Sequence, residues 1–143
     1  MQRSPDLRAL SREHHHALVL ARRAVQAASR GSDQDVIATW SHIRTAFRQE
    51  LAPHFAVEEV YLLPALVAAG AVELATRTRR DHDTLRFLAA ADDDPRARLA
   101  EFGVMLRQHV RFEERHLFPA AEAVLEPIRL AVVAHASERS DLT

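Results

Sequence analysis

The stretch His54-Phe55-Ala56-Val57-Glu58-Glu59-Val60-Tyr61-Leu62-Leu63-Pro64-Ala65 returns fifty-five residues later as His109-Val110-Arg111-Phe112-Glu113-Glu114-Arg115-His116-Leu117-Phe118-Pro119-Ala120, with six of twelve positions identical. The matches are the His, both Glu, one Leu, the Pro and the Ala, so the repeat preserves metal-ligand residue types as well as apolar ones. On a helix, His and Glu four residues apart stand about one turn above each other on nearly the same face. Two such pairs can converge on one site.

The rest of the chain fits a helical, metal-binding setting. Its 143 residues make a single domain, 1–143, long enough for a real core. Hydrophobic residues are 48% and Gly is limited to three, a balance that favours helix over strand. Nineteen Lys and Arg nearly match twenty Asp and Glu, so the charge signature of nucleic-acid binding is missing. The sequence shows no hydrophobic run expected to span a membrane. Its amino terminus has no signal-peptide apolar core, which makes a cytoplasmic location the default expectation. Zero cysteines exclude thiolate zinc and iron–sulfur sites, leaving His and carboxylate as side-chain ligands, and nine His is many for this length.

The first helix is expected from Ser4-Pro5, a cap followed by a first-turn proline, to Arg30. At about 100° per residue, Leu7, Leu10, Leu18, Ala21 and Val25 fall within roughly 40° of His14, which makes His14 the inward member of the His14-His15-His16 triplet. A second helix runs from Ser32, with Asp35 as its capping-box partner, to Gly70. It carries Val36, Ile43, Phe47, His54, Glu58, Tyr61 and Ala65 on one face. Pro53 should kink this helix rather than end it, because the apolar face continues in phase on both sides. Glu50, one turn before His54, reads as an added ligand, a hydrogen-bond acceptor for a ligand His, or a plain surface Glu.

The third helix spans about Val72 to Ala91 and points His82 inward with Leu85 and Ala89. Asp92-Asp93-Asp94-Pro95 marks a boundary, with Asp94 as N-cap of a fourth helix that reaches about Leu125. Phe102, Met105, His109, Phe112, Glu113, His116 and Ala120 line its inner side. The core thus covers about 5–125, followed by a short helix at about 128–135 and a polar, frayed tail at 137–143. Four long amphipathic helices with short connections imply an all-α, up-down-up-down four-helix bundle.

Each helix then contributes one inward His: His14, His54, His82 and His109, joined by Glu58 and Glu113. A single inward His is more often a satisfied core residue. Four of them with two carboxylates would be costly to bury without a shared cation. Ligand type leaves the metal open, since imidazole and carboxylate suit zinc as well as iron.

The order His, His-x-x-x-Glu, His, His-x-x-x-Glu, with its Glu-Glu-x-x-Leu-Leu-Pro and Glu-Glu-x-x-Leu-Phe-Pro endings, resembles the hemerythrin-like HHE cation-binding family over about residues 7–125. The resemblance implies two iron ions, oxo- or hydroxo-bridged, with His14, His54, Glu58, His82, His109 and Glu113 as ligands and both Glu as bridges. Oxygen-carrying hemerythrins have His-x-x-x-His on the third helix and His-x-x-x-x-Asp on the fourth. Here Arg86 follows His82 by four, and Glu113 stands four, not five, after His109.

One imidazole is therefore missing, which counts against reversible oxygen carriage. The pattern is similar to the subgroup associated with peroxide decomposition, nitric oxide chemistry, or iron and oxygen sensing. Tyr61 and His116 lie seven residues after each repeat His, and each either completes the vacant position or is an ordinary core residue. The implied partner is hydrogen peroxide, dioxygen or nitric oxide, handled in catalase-like turnover or by a sensing module. The sequence leaves zinc and oligomeric state open.

Overall fold

A computed structural model describes residues 4–141, and among them helices are the only regular elements. Helix α1, Arg8–Arg30, is entered through one 3₁₀ turn, Pro5–Leu7, whose Ser4 hydroxyl accepts from the Asp6 N–H at 3.3 Å. Helix α2, Asp33–Ala68, starts from the expected box: Asp35 N–H donates to the Ser32 hydroxyl, and Ser32 N–H donates to the Asp35 carboxylate. Helix α3, Val72–Ala90, follows a turn in which Gly70 takes φ 95°, a left-handed conformation that glycine adopts without strain. Helix α4 covers 95–124, opening on Pro95 behind the Asp94 cap, and helix α5, Pro127–Asp141, closes the chain.

Short connections fold α1 to α4 into the all-α bundle, with α1 against α4 as its most extensive pairing. Gly103 makes that pairing possible, since a Cβ there would lie 2.8 Å from the Ala21 carbonyl oxygen and 3.0 Å from Ala24 Cβ. Helix α5 is longer than the 128–135 expected, running through most of the segment read as a frayed tail; residues 142–143 fall outside the described part. No Gly or Pro interrupts 128–141, and Leu130 and Val133 bury against Leu7 and Leu10, so both local propensity and packing favour continuation.

The core has two apolar halves. One gathers Leu20, Trp40, Ile43, Phe47 and Phe102; the other gathers Leu10, Leu62, Leu66, Phe118 and Val133. His14 lies between the two along the chain, with Leu10 on one side and Ala17 on the other, and so does His82, between Ala75 and Leu85. Helix α2 also corrects an expectation. By length and composition it is apolar enough to cross a bilayer, but 44% of its most apolar stretch is buried inside the bundle, as for the core helix of a bundle.

Three turns depart from α geometry, and each precedes a proline. In Phe47–Leu51, Glu58–Leu62 and Glu113–Leu117 the chain widens to π turns, with Ala52 N–H bonded to Phe47 O, Leu63 N–H to Glu58 O and Phe118 N–H to Glu113 O. Pro53, Pro64 and Pro119 each stand six residues after the start of such a turn. A proline inside a helix lacks its N–H and its ring meets the carbonyl four residues back; one wider turn relieves that clash while the helix continues. Pro53 therefore does not end α2, as the periodicity expects: the helix continues past it through a π turn.

Candidate metal centre

The fold brings six of the sequence-selected side chains together at mid-bundle. His14 comes from α1, His54 and Glu58 from α2, His82 from α3, and His109 and Glu113 from α4. Glu58, His82 and Glu113 are 0% exposed, His109 is 1%, and His14 and His54 are 4%. Potential donor atoms fall into two groups, each within 4.8 Å: His14, His54, Glu58 and Glu113, and Glu58, His82, His109 and Glu113. Both glutamates belong to both groups. Each group offers two imidazoles and both carboxylates to a cation.

The polar atoms facing this centre are poorly matched by protein partners. His14 Nε2 hydrogen-bonds Glu113 at 2.8 Å. In contrast, Nε2 of His54, His82 and His109, both Glu58 oxygens and Glu113 Oε2 are buried without a hydrogen-bond partner. The distances are those of groups facing one another across a small space: His82 Nε2 to Glu58 at 3.1 Å, His109 Nε2 to Glu113 at 3.4 Å and His54 Nε2 to Glu58 at 3.6 Å. Buried polar atoms are rarely left orphaned in folded proteins, and these six converge. The donor set fits a cation.

Every Nδ1 on the outward side does have a partner, and the pattern is cyclic. Glu13 of α1 accepts from His54 of α2. Glu59 of α2 accepts from His82 of α3 at 2.7 Å, Asp81 of α3 from His109 of α4 at 3.0 Å, and Glu114 of α4 from His14 of α1 at 2.9 Å. Each carboxylate is the sequence neighbour of an inward residue on its own helix: His14, Glu58, His82 and Glu113. An Nδ1–H directed to a carboxylate fixes the tautomer and leaves the Nε2 lone pair free for a metal. These four residues were missed by the sequence reading, though an acidic residue beside four of the six inward ones was the available signal.

The local electrostatics follow from burial opposed by pairing. Burial alone would depress His109, but the Glu113 carboxylate and Asp81 hold it at about 10. His54 is likewise held well above its usual range against burial by Glu58, Glu113 and Glu13, and His14 is raised against burial by Glu113 and Glu114. Glu113 is kept well below the carboxylate range, its burial outweighed by His109, Glu58 and His14. Protons thus bind where cations would.

Phe118 stacks on His14 with ring centroids 5.1 Å apart, and Phe55 on His82 at 3.9 Å, so apolar rings fix the imidazole planes. A cavity of about 10 Å³ borders the centre, lined by His14, His54, His109, Ala17, Leu51 and Leu106 among others. That is space for one water-sized molecule. The far larger groove of about 860 Å³ lies between α2 and α3, bordered by Leu63, Arg79, Arg80 and Phe87, and touches none of the six inward residues.

Tyr61, His116 and Glu50 are not brought to the centre. Tyr61 is 42% exposed and His116 is also exposed. The reason is the π turn beginning at each inward Glu, whose extra residue rotates the downstream side chains by about 100°. Leu62 and Leu117, eight residues after each His, take the inward phase instead and are fully buried. Glu50 lies exposed within the first π turn and pairs with the surface residue His16 at 2.7 Å.

A helical bundle carrying buried, cysteine-free clusters of His and Glu defines a cation-binding helical domain. The chain matches the family model of the hemerythrin HHE cation binding domain over residues 6–121, and it belongs to that family. Membership makes it a metal-binding domain, and iron is the metal such domains typically hold. No curated protein and no solved structure matches the chain.

Proposed function

We propose that this protein is a non-haem di-iron protein that binds or reacts with a small oxidant, with catalase-like decomposition of hydrogen peroxide as the leading activity and dioxygen or nitric oxide as the other ligands of the same class. His14, His54, Glu58, His82, His109 and Glu113 would hold the two ions. What carries the reading is the set of buried, unpartnered Nε2 and carboxylate atoms in two groups that share Glu58 and Glu113. Iron, when bound there, supplies the redox chemistry.

The chain's own residues supply binding, orientation and exclusion. The Nδ1 contacts to Glu13, Glu59, Asp81 and Glu114 hold the imidazoles in one tautomer. The apolar wall of Ala17, Leu51 and Leu106, with a cavity of about 10 Å³, limits the exogenous ligand to a few atoms. Tyr61 and His116, turned to the surface, leave the coordination to the six inward residues.

The test is metal content per chain on protein purified without a metal-affinity tag, read beside its visible spectrum before and after hydrogen peroxide. Two irons and peroxide consumed over many turnovers support the catalytic reading. Two irons without turnover assign the site to oxygen, redox or iron sensing. Zinc alone, or no metal, refutes the di-iron assignment.

A further inference from the structure

Arg86 stands where oxygen-carrying hemerythrins have the second His of their third helix, and here its guanidinium is turned to Glu59. Nη2 lies 3.0 Å from Glu59 Oε1 and Nη1 lies 2.9 Å from Oε2, a two-point fork on both carboxylate oxygens. Nη1 also reaches Asp83 at 3.2 Å on the solvent side. The guanidinium carbon sits 5.8 Å from the Phe55 ring, whose other contacts include the stack on His82. Arg86, Glu59, His82 and Glu58 therefore form one line from surface to centre, with His82 fully buried between Glu59 at Nδ1 and Glu58 at Nε2.

A carboxylate that holds a buried His has to be held itself. A Glu has three rotatable bonds, and fixing them with one hydrogen bond leaves the imidazole free to swing with it. A planar guanidinium hydrogen-bonded to one carboxylate oxygen and in ion-pair contact with the other restrains the carboxylate plane, which a single ammonium does less well. Held in that plane, Glu59 meets His82 at Nδ1 and leaves Nε2 facing inward.

We propose that Arg86 is a positioning residue of the metal centre, setting through Glu59 the orientation of His82 within a ring in which each helix steers the histidine of the next. This rests on the two-metal reading above. In the ring, Glu13, Glu59, Asp81 and Glu114 each sit next to one inward residue and hold the His of another helix, so a shift of one helix is felt at its neighbour's imidazole. Arg86 fastens the α2–α3 link from outside.

The experiment is titration of metal-free protein with cobalt(II), whose visible bands report coordination geometry, on the natural sequence and on Arg86→Ala, Arg86→Lys, Glu59→Ala and Glu59→Gln. The natural protein should take up two ions. Glu59→Ala should weaken uptake of one of them by about 10–100-fold and change its visible bands, the range seen when a partner of a ligand His is removed. Arg86→Ala should move both readouts in the same direction by less, Arg86→Lys should recover only part of the loss, and Glu59→Gln, which keeps an acceptor oxygen, should retain two ions.

Melting of each metal-free variant separates this from a packing effect, which would lower the midpoint and leave cobalt affinity and bands unchanged. Because Arg86 is only half-buried, its variants remain informative if Glu59→Ala does not fold. Two ions bound by Arg86→Ala with natural affinity and spectrum would overturn the positioning role. No cobalt bound by the natural protein would instead overturn the two-metal reading on which it stands.

Discussion

Removing the metal should expose a competition between protons and cations that pH controls. Without metal, His109 is held at about 10 against an ordinary 6.5, and His54 and His14 are raised as well. A raised imidazole contributes stability that is complete below the unfolded value and is lost as pH climbs through the folded one. For His109 that window runs from 6.5 to about 10. The metal-free domain should therefore lose stability steadily on the alkaline side of neutrality. A ligand imidazole must be neutral, so over the same window each pH unit removes a tenfold proton handicap at His109 alone, about 1.4 kcal/mol.

Metal at a thousand times its dissociation constant stabilises the folded state by about 4 kcal/mol per site. At about 3 °C per kcal/mol for a chain of this size, one filled site raises the melting midpoint by about 12 °C. The gap between loaded and metal-free midpoints should then widen by roughly 4 °C per unit from about pH 7 to pH 9. Scanning calorimetry on both forms across that range, with a proton-release titration at fixed pH, measures it. A gap that stays flat or narrows with rising pH, or metal uptake that releases no proton, would refute the reasoning.

Glu58→Ala or Glu113→Ala should each abolish two-metal occupancy, because each carboxylate belongs to both donor groups; metal analysis showing two ions retained would remove the shared-carboxylate assignment. Tyr61→Phe and His116→Ala should leave the metal spectrum and content unchanged, since the π turns carry both side chains to the surface. Gly103→Ala should destabilise the bundle by about 1–3 kcal/mol in urea unfolding, as its Cβ would press on the Ala21 carbonyl and force α1 from α4. His15→Ala should fall within about 0.5 kcal/mol of the natural protein and keep its metal, because His15 is solvent-exposed.

Helix positions, the continuation of α2 past Pro53 and the inward phase of His14 were legible in the sequence because they depend on neighbours within a turn or two. Apolar spacing around His14, caps at Ser32 and Asp94, and Pro95 at a first turn each act locally. The repeat also marked out four of the six residues that the bundle gathers, and the apolar faces of the first and third helices added His14 and His82. The same periodicity misplaced Tyr61 and His116, since it assumed 3.6 residues per turn through segments where a following proline opens one turn. The spacing of Pro64 and Pro119 after Glu58 and Glu113 was the visible trace of that change.

Tertiary structure alone decided which residues meet across helices. Glu13, Glu59, Asp81 and Glu114 are adjacent in sequence to inward residues, yet each serves a His from another helix, between 23 and 100 positions away. Glu50, one turn from His54, goes to a surface His instead. A sequence read by periodicity gives the face on which a side chain leaves its own helix. The rotation and axial offset of the next helix decide what that side chain touches, and packing of the whole bundle sets those.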